Sequence, residues 1–319
     1  MSMISAKTRD NEKKHVSKNT TKRNRLIFYI CMTAIPLIQF ALFFIYVKFN
    51  SILIAFREYD LTDNGYVISF AGFENFSWAW KTFINGKTMV GRSLIVYAFD
   101  LVVVLGFALI FSYYIAKKQF GAGFFRVILF LPQVVPGIVF ASLYEFLVTD
   151  VYKVLNPSAL SGLLSPPTDA DTQFIVLLIF NVWIGFGTNV LMLTSSMSAI
   201  NESVVEAAKL DGVNTVQEFA YIYLPMIFPT LVTFIIVGMS GIFTNQMHMY
   251  SFYSGGATGE GYPSVFGYYF YAKTRTADYY GVDVTYSQLS ALGLLFTAIL
   301  MPIVLTARKL LNKYGPSAD

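Results

Sequence analysis

Apolar residues fall into six long stretches, at about 26–47, 93–115, 127–148, 173–197, 230–250 and 287–307, separated by polar connections. Each is about 20 residues long, enough to cross the hydrocarbon core of a bilayer as a helix. The runs are continuous, not alternating, and too long for the strands of a sheet. The pattern predicts an all-α integral membrane protein with six transmembrane helices.

Composition agrees. Of the 319 residues, 55% are hydrophobic and 13% charged, with 30 Phe and 21 Tyr; an ordinary soluble domain carries about 25% charged residues. So little charge cannot cover so much apolar surface in water, which excludes an ordinary cytosolic enzyme and a disordered or collagen-like chain. A single cysteine, Cys31, forms no internal disulfide, and His15 and His248 lie too far apart in sequence to suggest a zinc cluster.

Charge placement orients the spans. With the N-terminus inside, the inner segments 1–25, 116–126, 198–229 and 308–319 hold 15 Lys/Arg, and the outer segments hold 8. This excess predicts that both termini are cytoplasmic. Residues 1–25 form a basic tail, 26–307 the membrane domain with a cytoplasmic loop at 200–229, and 308–319 a second tail. The first span reads as an uncleaved anchor. The tail reads as a topology signal and a contact for anionic membrane lipids rather than a nucleic-acid arm.

The loop at 200–229 has the strongest local signals. Ser203 with Glu206 forms a capping-box pattern, Asp211-Gly212 supplies a stop, and Asn214 or Thr215 restarts a helix. Pro225 should end that helix, and Pro229 suits the first turn of the fifth span. The product is a helix, a tight turn and a second helix, with Val213, Val216, Phe219 and Ala220 on an amphipathic face. On local physics such a face suits a partner groove or a plain folded connection equally.

Glu206-Ala207-Ala208, Gly212, Ile222 and Leu224-Pro225, at their spacing, resemble the loop of permease subunits of bacterial ATP-binding-cassette importers. Ile54-Ala55-Phe56, Gly72-Phe73-Glu74-Asn75-Phe76, Leu131-Pro132 with Pro136, and Gly255-Gly256 resemble the carbohydrate-uptake branch, close to the larger maltose-type permease partner. The resemblance covers nearly all of 25–310. It implies a type I importer permease fold in the bacterial cytoplasmic membrane. It also implies a second homologous permease subunit, two cytoplasmic ATPase subunits holding the ATP and magnesium, and an extracytoplasmic sugar-binding protein. The loop would dock in the ATPase through Val213–Tyr221, with Gly212 as hinge and Glu206 as a stabilising acid. No cofactor is expected on this chain: Asn85-Gly86-Lys87-Thr88 looks like the tail of a phosphate loop, but Lys81 stands where glycine is needed.

Sugar recognition needs planar hydrogen-bonding groups and aromatic faces. In span four, Asn181, Gly185 and Thr188 share a helix face. The run resembles the sugar-contacting helix of the maltose-type subunit, with Thr188 departing from the aromatic found there. Asn245 and Gln246 at the end of span five, and Tyr144 and Glu145 in span three, complete the candidate set. Tyr250 and Tyr253 suit an interfacial belt. Asp100 and Glu145 are the acids within predicted spans, read either as cavity groups or as helix-pairing carboxylates. They also support a rival, an ion-coupled secondary transporter.

Overall fold

A computed structural model describes residues 22–62, 65–158, 161–165, 168–253, 263–276 and 284–316. The Gly255-Gly256 pair, most of the N-terminal tail and the final residues lie outside them. Among the described residues the regular structure is helical apart from one hairpin. Helix α1 (Lys22–Ile54) leads into antiparallel strands β1 (Arg57–Thr62) and β2 (Gly65–Phe70), paired from Arg57 with Phe70 to Thr62 with Gly65. Helix α2 (Glu74–Asn85) follows and turns at Gly86 into α3 (Lys87–Ala116), so the Asn85–Thr88 segment is a helix junction, not a phosphate loop.

Next come α4 (Ala122–Val134), α5 (Gly137–Leu155), α6 (Ala170–Ser198), α7 (Glu202–Leu210), α8 (Thr215–Met226), α9 (Phe228–Ser240), α10 (Met249–Phe252), α11 (Phe266–Thr276) and α12 (Tyr286–Tyr314). Among the described residues, α1, α3, α6 and α12 are each long and apolar enough to cross a membrane. The total is six if each of the bent pairs α4–α5 and α8–α9 counts as one span.

Two spans depart from expectation. Predicted span three is broken, with α4 and α5 meeting at 97°. Pro136 lacks an N–H and pushes Val135 into extended backbone (φ −87°, ψ 138°), so the helix cannot run through. Predicted span five, 230–250, is helical only to Ser240. Beyond it the chain turns through Gly241 and the left-handed residues Met247 (φ 51°) and His248 (φ 56°) before α10.

Local polar groups hold these pieces. Buried Asn75 donates from Nδ2 to the carbonyls of Ala55 and Arg57, both at 3.1 Å, pinning α2 to the junction of α1 and β1. Asp169 caps α6, accepting from the Thr172 N–H and hydroxyl at 2.8 Å each; these bonds hold its carboxyl below the usual carboxylate range. Helix α6 is the central post, packed along α3 and α4. At Gly187 a Cβ would collide with the Leu129 carbonyl of α4, so this close approach requires glycine. By contrast, the large apolar residues of α1 from Leu26 to Phe49 stand exposed, as suits a helix whose solvent is lipid.

Candidate functional site: a central cavity and an exposed cytoplasmic loop

Ser93, Tyr97, Asp100 and Val104 recur at three- and four-residue spacing on α3, and Asn181, Gly185 and Asn189 do so on α6. These two stripes face one cavity of about 380 Å³, closed on a third side by Phe234, Val237 and Gly238 of α9 and by Gly241 and Asn245 beyond it. Two glycines help open it. A Cβ at Gly238 would stand 3.0 Å from the Tyr97 ring, and one at Gly185 3.8 Å from Val104. The α3 helix widens into a π turn over Asp100–Val104, immediately at the cavity; such turns often accompany functional positions.

The polar groups are held in place. The Asn181 amide donates to Leu177 O at 2.9 Å and to Met247 O at 3.4 Å, which aims its carbonyl oxygen elsewhere. The Asn245 carbonyl accepts from Met247 N at 2.9 Å, which leaves the amide end as a donor. Tyr97 donates to Ile235 O at 3.3 Å, tying α3 to α9. Ser93 accepts from Phe266 N at 3.1 Å.

Of the residues expected from sequence, Asn181, Gly185 and Asn245 line the cavity, together with Asp100. The others lie elsewhere. Thr188 is exposed, one position off the lining stripe, where Asn189 stands instead. Tyr144 donates to Val176 O at 2.8 Å and packs against Phe180 in the apolar core. Glu145 is half-buried on α5. Gln246 is not among the lining residues, and its Oε1 is buried without a hydrogen-bond partner. Ser93, Tyr97 and Asn189 escaped the sequence reading. Continuing the Asn181–Gly185 period by four residues would have found Asn189; pairing with the α3 stripe needed the fold.

The loop is built as two capped helices. The α7 cap is Asn201, whose side chain accepts from Ser203 N at 3.1 Å; the expected Ser203–Glu206 box is absent because Ser203 already lies inside the first turn. Gly212 (φ 79°) ends α7: its N–H reaches Lys209 O, and Val213 N–H reaches Ala208 O at 3.2 Å. This is a Schellman stop, which needs the left-handed residue. Asn214 and Gln217 form a reciprocal capping box that starts α8. Pro225 does not end α8 as expected. A π turn at Phe219–Tyr223 widens the helix before it, which relieves the ring from its usual clash, and α8 reaches Met226 before bending 68° into α9.

Glu206, Ala207 and Val216 are exposed, Val216 to 75%, with Leu210 at 90% and Tyr221 at 76% beside them. Ala208 and Val213 are half-buried. Phe219 and Leu224 turn inward, Phe219 against the Tyr113 ring at 5.1 Å, so the outward ridge is Leu210, Val216 and Tyr221. The loop is strapped to the end of α3. Lys117 Nζ lies 2.5 Å from Glu218 Oε1, with 16% and 5% of the two side chains exposed, and the Tyr113 hydroxyl donates to Thr215 O at 3.2 Å. Thus the helix that lines the cavity with Asp100 also carries the clasp on the loop.

Fold and site together define a polytopic helical membrane protein with an internal cavity that carries several polar groups and with an exposed loop of two capped helices. Residues 104–313 match the family described as binding-protein-dependent transport system inner membrane component, and the chain belongs to that family. It is a multi-pass protein of the inner membrane. It is 33% identical over 137 residues to the galactooligosaccharides transport system permease protein GanP of Bacillus subtilis, covering 42% of this chain and 33% of that one. It is 28% identical over 289 residues to the maltodextrin transport system permease protein MalC of Streptococcus pneumoniae serotype 4, covering 83% and 64%. The chain thus spans between a third and two thirds of these relatives. A crystal structure of a bacterial ABC transporter involved in import of the acidic polysaccharide alginate shares the fold, with a TM-score of 0.69 at 19% identity over 92% of this chain and 97% of that one. The alginate transporter in complex with a pentasaccharide-bound periplasmic protein gives 0.70 at 18%, covering 93% and 97%.

Proposed function

We propose that this chain is the membrane-spanning permease subunit of an ATP-driven importer of sugars or oligosaccharides. It forms half of the translocation pathway beside a second, homologous permease subunit. Two cytoplasmic ATPase subunits hold the ATP and magnesium, and an extracytoplasmic binding protein delivers the sugar. The names of the relatives support the sugar class, and the family supports the ATP-driven reading over an ion-coupled carrier using Asp100 or Glu145. Both termini, and the loop at 200–229, face the cytoplasm.

The observation that carries this reading is the clasp between the loop and the cavity helix. Closure of the ATPases would move α7 and α8 as a unit, because the Schellman stop and the capping box join them tightly. The Lys117–Glu218 pair and the Tyr113–Thr215 bond would pass that movement to α3 and so to the cavity wall. The cavity would then face outward with ATP bound and inward after hydrolysis. Glu206, Ala207, Ala208, Gly212, Val213 and Val216 form the docking side of the loop; Phe219, Leu224 and Pro225 connect it to the membrane domain.

The test is Gly212→Asp in the assembled transporter. A Cβ at Gly212 meets nothing within 4 Å, so the complex should assemble. The left-handed backbone and the docking face are disturbed, so ATP hydrolysis should continue while uptake falls by about tenfold or more. Normal uptake per ATP would overturn the coupling assignment.

A further inference from the structure

Asp100 is the only charged side chain that lines the cavity among the described residues. The nearest basic residue on the same helix, Arg92, is engaged elsewhere: its guanidinium lies 2.8 Å from Asp171 and 5.6 Å from the Phe174 ring centre. The rest of the lining is amide, hydroxyl, aromatic and aliphatic. Apolar walls at Val96, Leu101 and Val104 lower the local dielectric, which strengthens whatever the carboxylate does there.

A carboxylate offers only acceptor lone pairs and takes two donors side by side. Two neighbouring hydroxyls of a sugar ring, or an ammonium group, meet that requirement. A ligand carboxylate does not, because it brings a like charge with no base among the described lining residues to neutralise it. Asn181 and Asn245 add one acceptor and one donor, and Tyr97 and Phe234 supply aromatic faces for the C–H side of a ring.

Resting on the sugar reading above, the geometry points to Asp100 as a specificity-determining residue that accepts paired sugar hydroxyls and selects neutral or amino sugars against uronates in this half of the pathway. Likeness of fold to the alginate transporters therefore does not extend to an acidic cargo.

The experiment is equilibrium binding of three disaccharides of one linkage to the purified full transporter without its binding protein. One disaccharide is neutral, one carries a glucuronate ring and one a glucosamine ring. The wild type should bind the neutral and amino sugars at least about tenfold more tightly than the uronate. Asp100→Asn should weaken the neutral and amino sugars and narrow the gap to the uronate by about tenfold. Asp100→Glu should keep the order of preference. Assembly of each variant is checked by size exclusion. Equal binding of all three sugars to the wild type, or an unchanged gap in Asp100→Asn, overturns the inference and leaves the importer reading intact. Absence of binding of all three to the wild type overturns this inference; the sugar reading itself fails if uptake with the binding protein and ATP is also absent across a panel of sugars.

Discussion

Gly187 shows how one missing methyl decides a helix contact. It lies on α6 where the backbone of α4 passes so closely that the Leu129 carbonyl occupies the place of a Cβ. Gly91 on α3, with nothing within 4 Å, is the control. Gly187→Ala should destabilise the protein by about 1–3 kcal/mol through overpacking, whereas Gly91→Ala should be neutral or slightly stabilising. Thermal unfolding of the purified variants tests this, and equal midpoints for the two would show that α4 yields freely. Asn75 makes a comparable point for a polar residue. Its value lies in two carbonyls some 20 residues back in the chain, a role invisible in the Gly72–Phe76 segment alone.

The helices gain their shapes from breaks as much as from regular turns. Pro136 splits α4 from α5, while the π turn ahead of Pro225 lets α8 absorb a proline that would otherwise end it. Contacts between elements then decide which pieces move together. The Lys117–Glu218 pair is the clearest case, because both side chains are largely withdrawn from solvent. Lys117→Met alone strands a buried carboxylate and should cost about 3–5 kcal/mol. The double variant Lys117→Met with Glu218→Met should recover most of that stability, since neither charge is left unpaired. If the pair also transmits motion, the recovered double variant should still hydrolyse more ATP per sugar imported than wild type. A wild-type ratio of hydrolysis to uptake in the double variant would reduce the pair to a structural tie.

For the whole molecule, the proposed function depends on orientation, because a cytoplasmic ATPase would reach the loop from one side only. The excess of basic residues on the segments containing the loop is the ground for the proposal that the loop is cytoplasmic and the β1–β2 hairpin outside. Cys31 is the single cysteine, so Cys31→Ser provides a clean background. In that background, Leu210→Cys should react with a membrane-impermeant maleimide only in inside-out vesicles, and Glu58→Cys only in right-side-out ones; both positions are exposed. The opposite pattern would invert the topology and remove the loop from any cytoplasmic partner.

What the sequence by itself determined were properties set by length, period and local chemistry. Twenty-residue apolar runs marked the membrane helices because a bilayer demands that length. The Asp211-Gly212 stop and the Asn214 restart were legible because caps are short-range hydrogen bonds between near neighbours. Asn181 and Gly185 were recognisable as polar or small positions on one face of an apolar span, and Asn245 as part of a polar cluster at the end of another. Only the tertiary structure decided which helix faces meet. Asn189, rather than Thr188, lines the cavity because the facing of α6 is set by its packing on α3 and α4. Tyr144, a plausible sugar contact in sequence, is committed to a carbonyl of α6. Asp100 began as an ambiguous buried acid and became, among the described residues, the one charge on a shared cavity. A charge's meaning depends on what stands opposite it, and that is settled by packing between segments far apart in the chain.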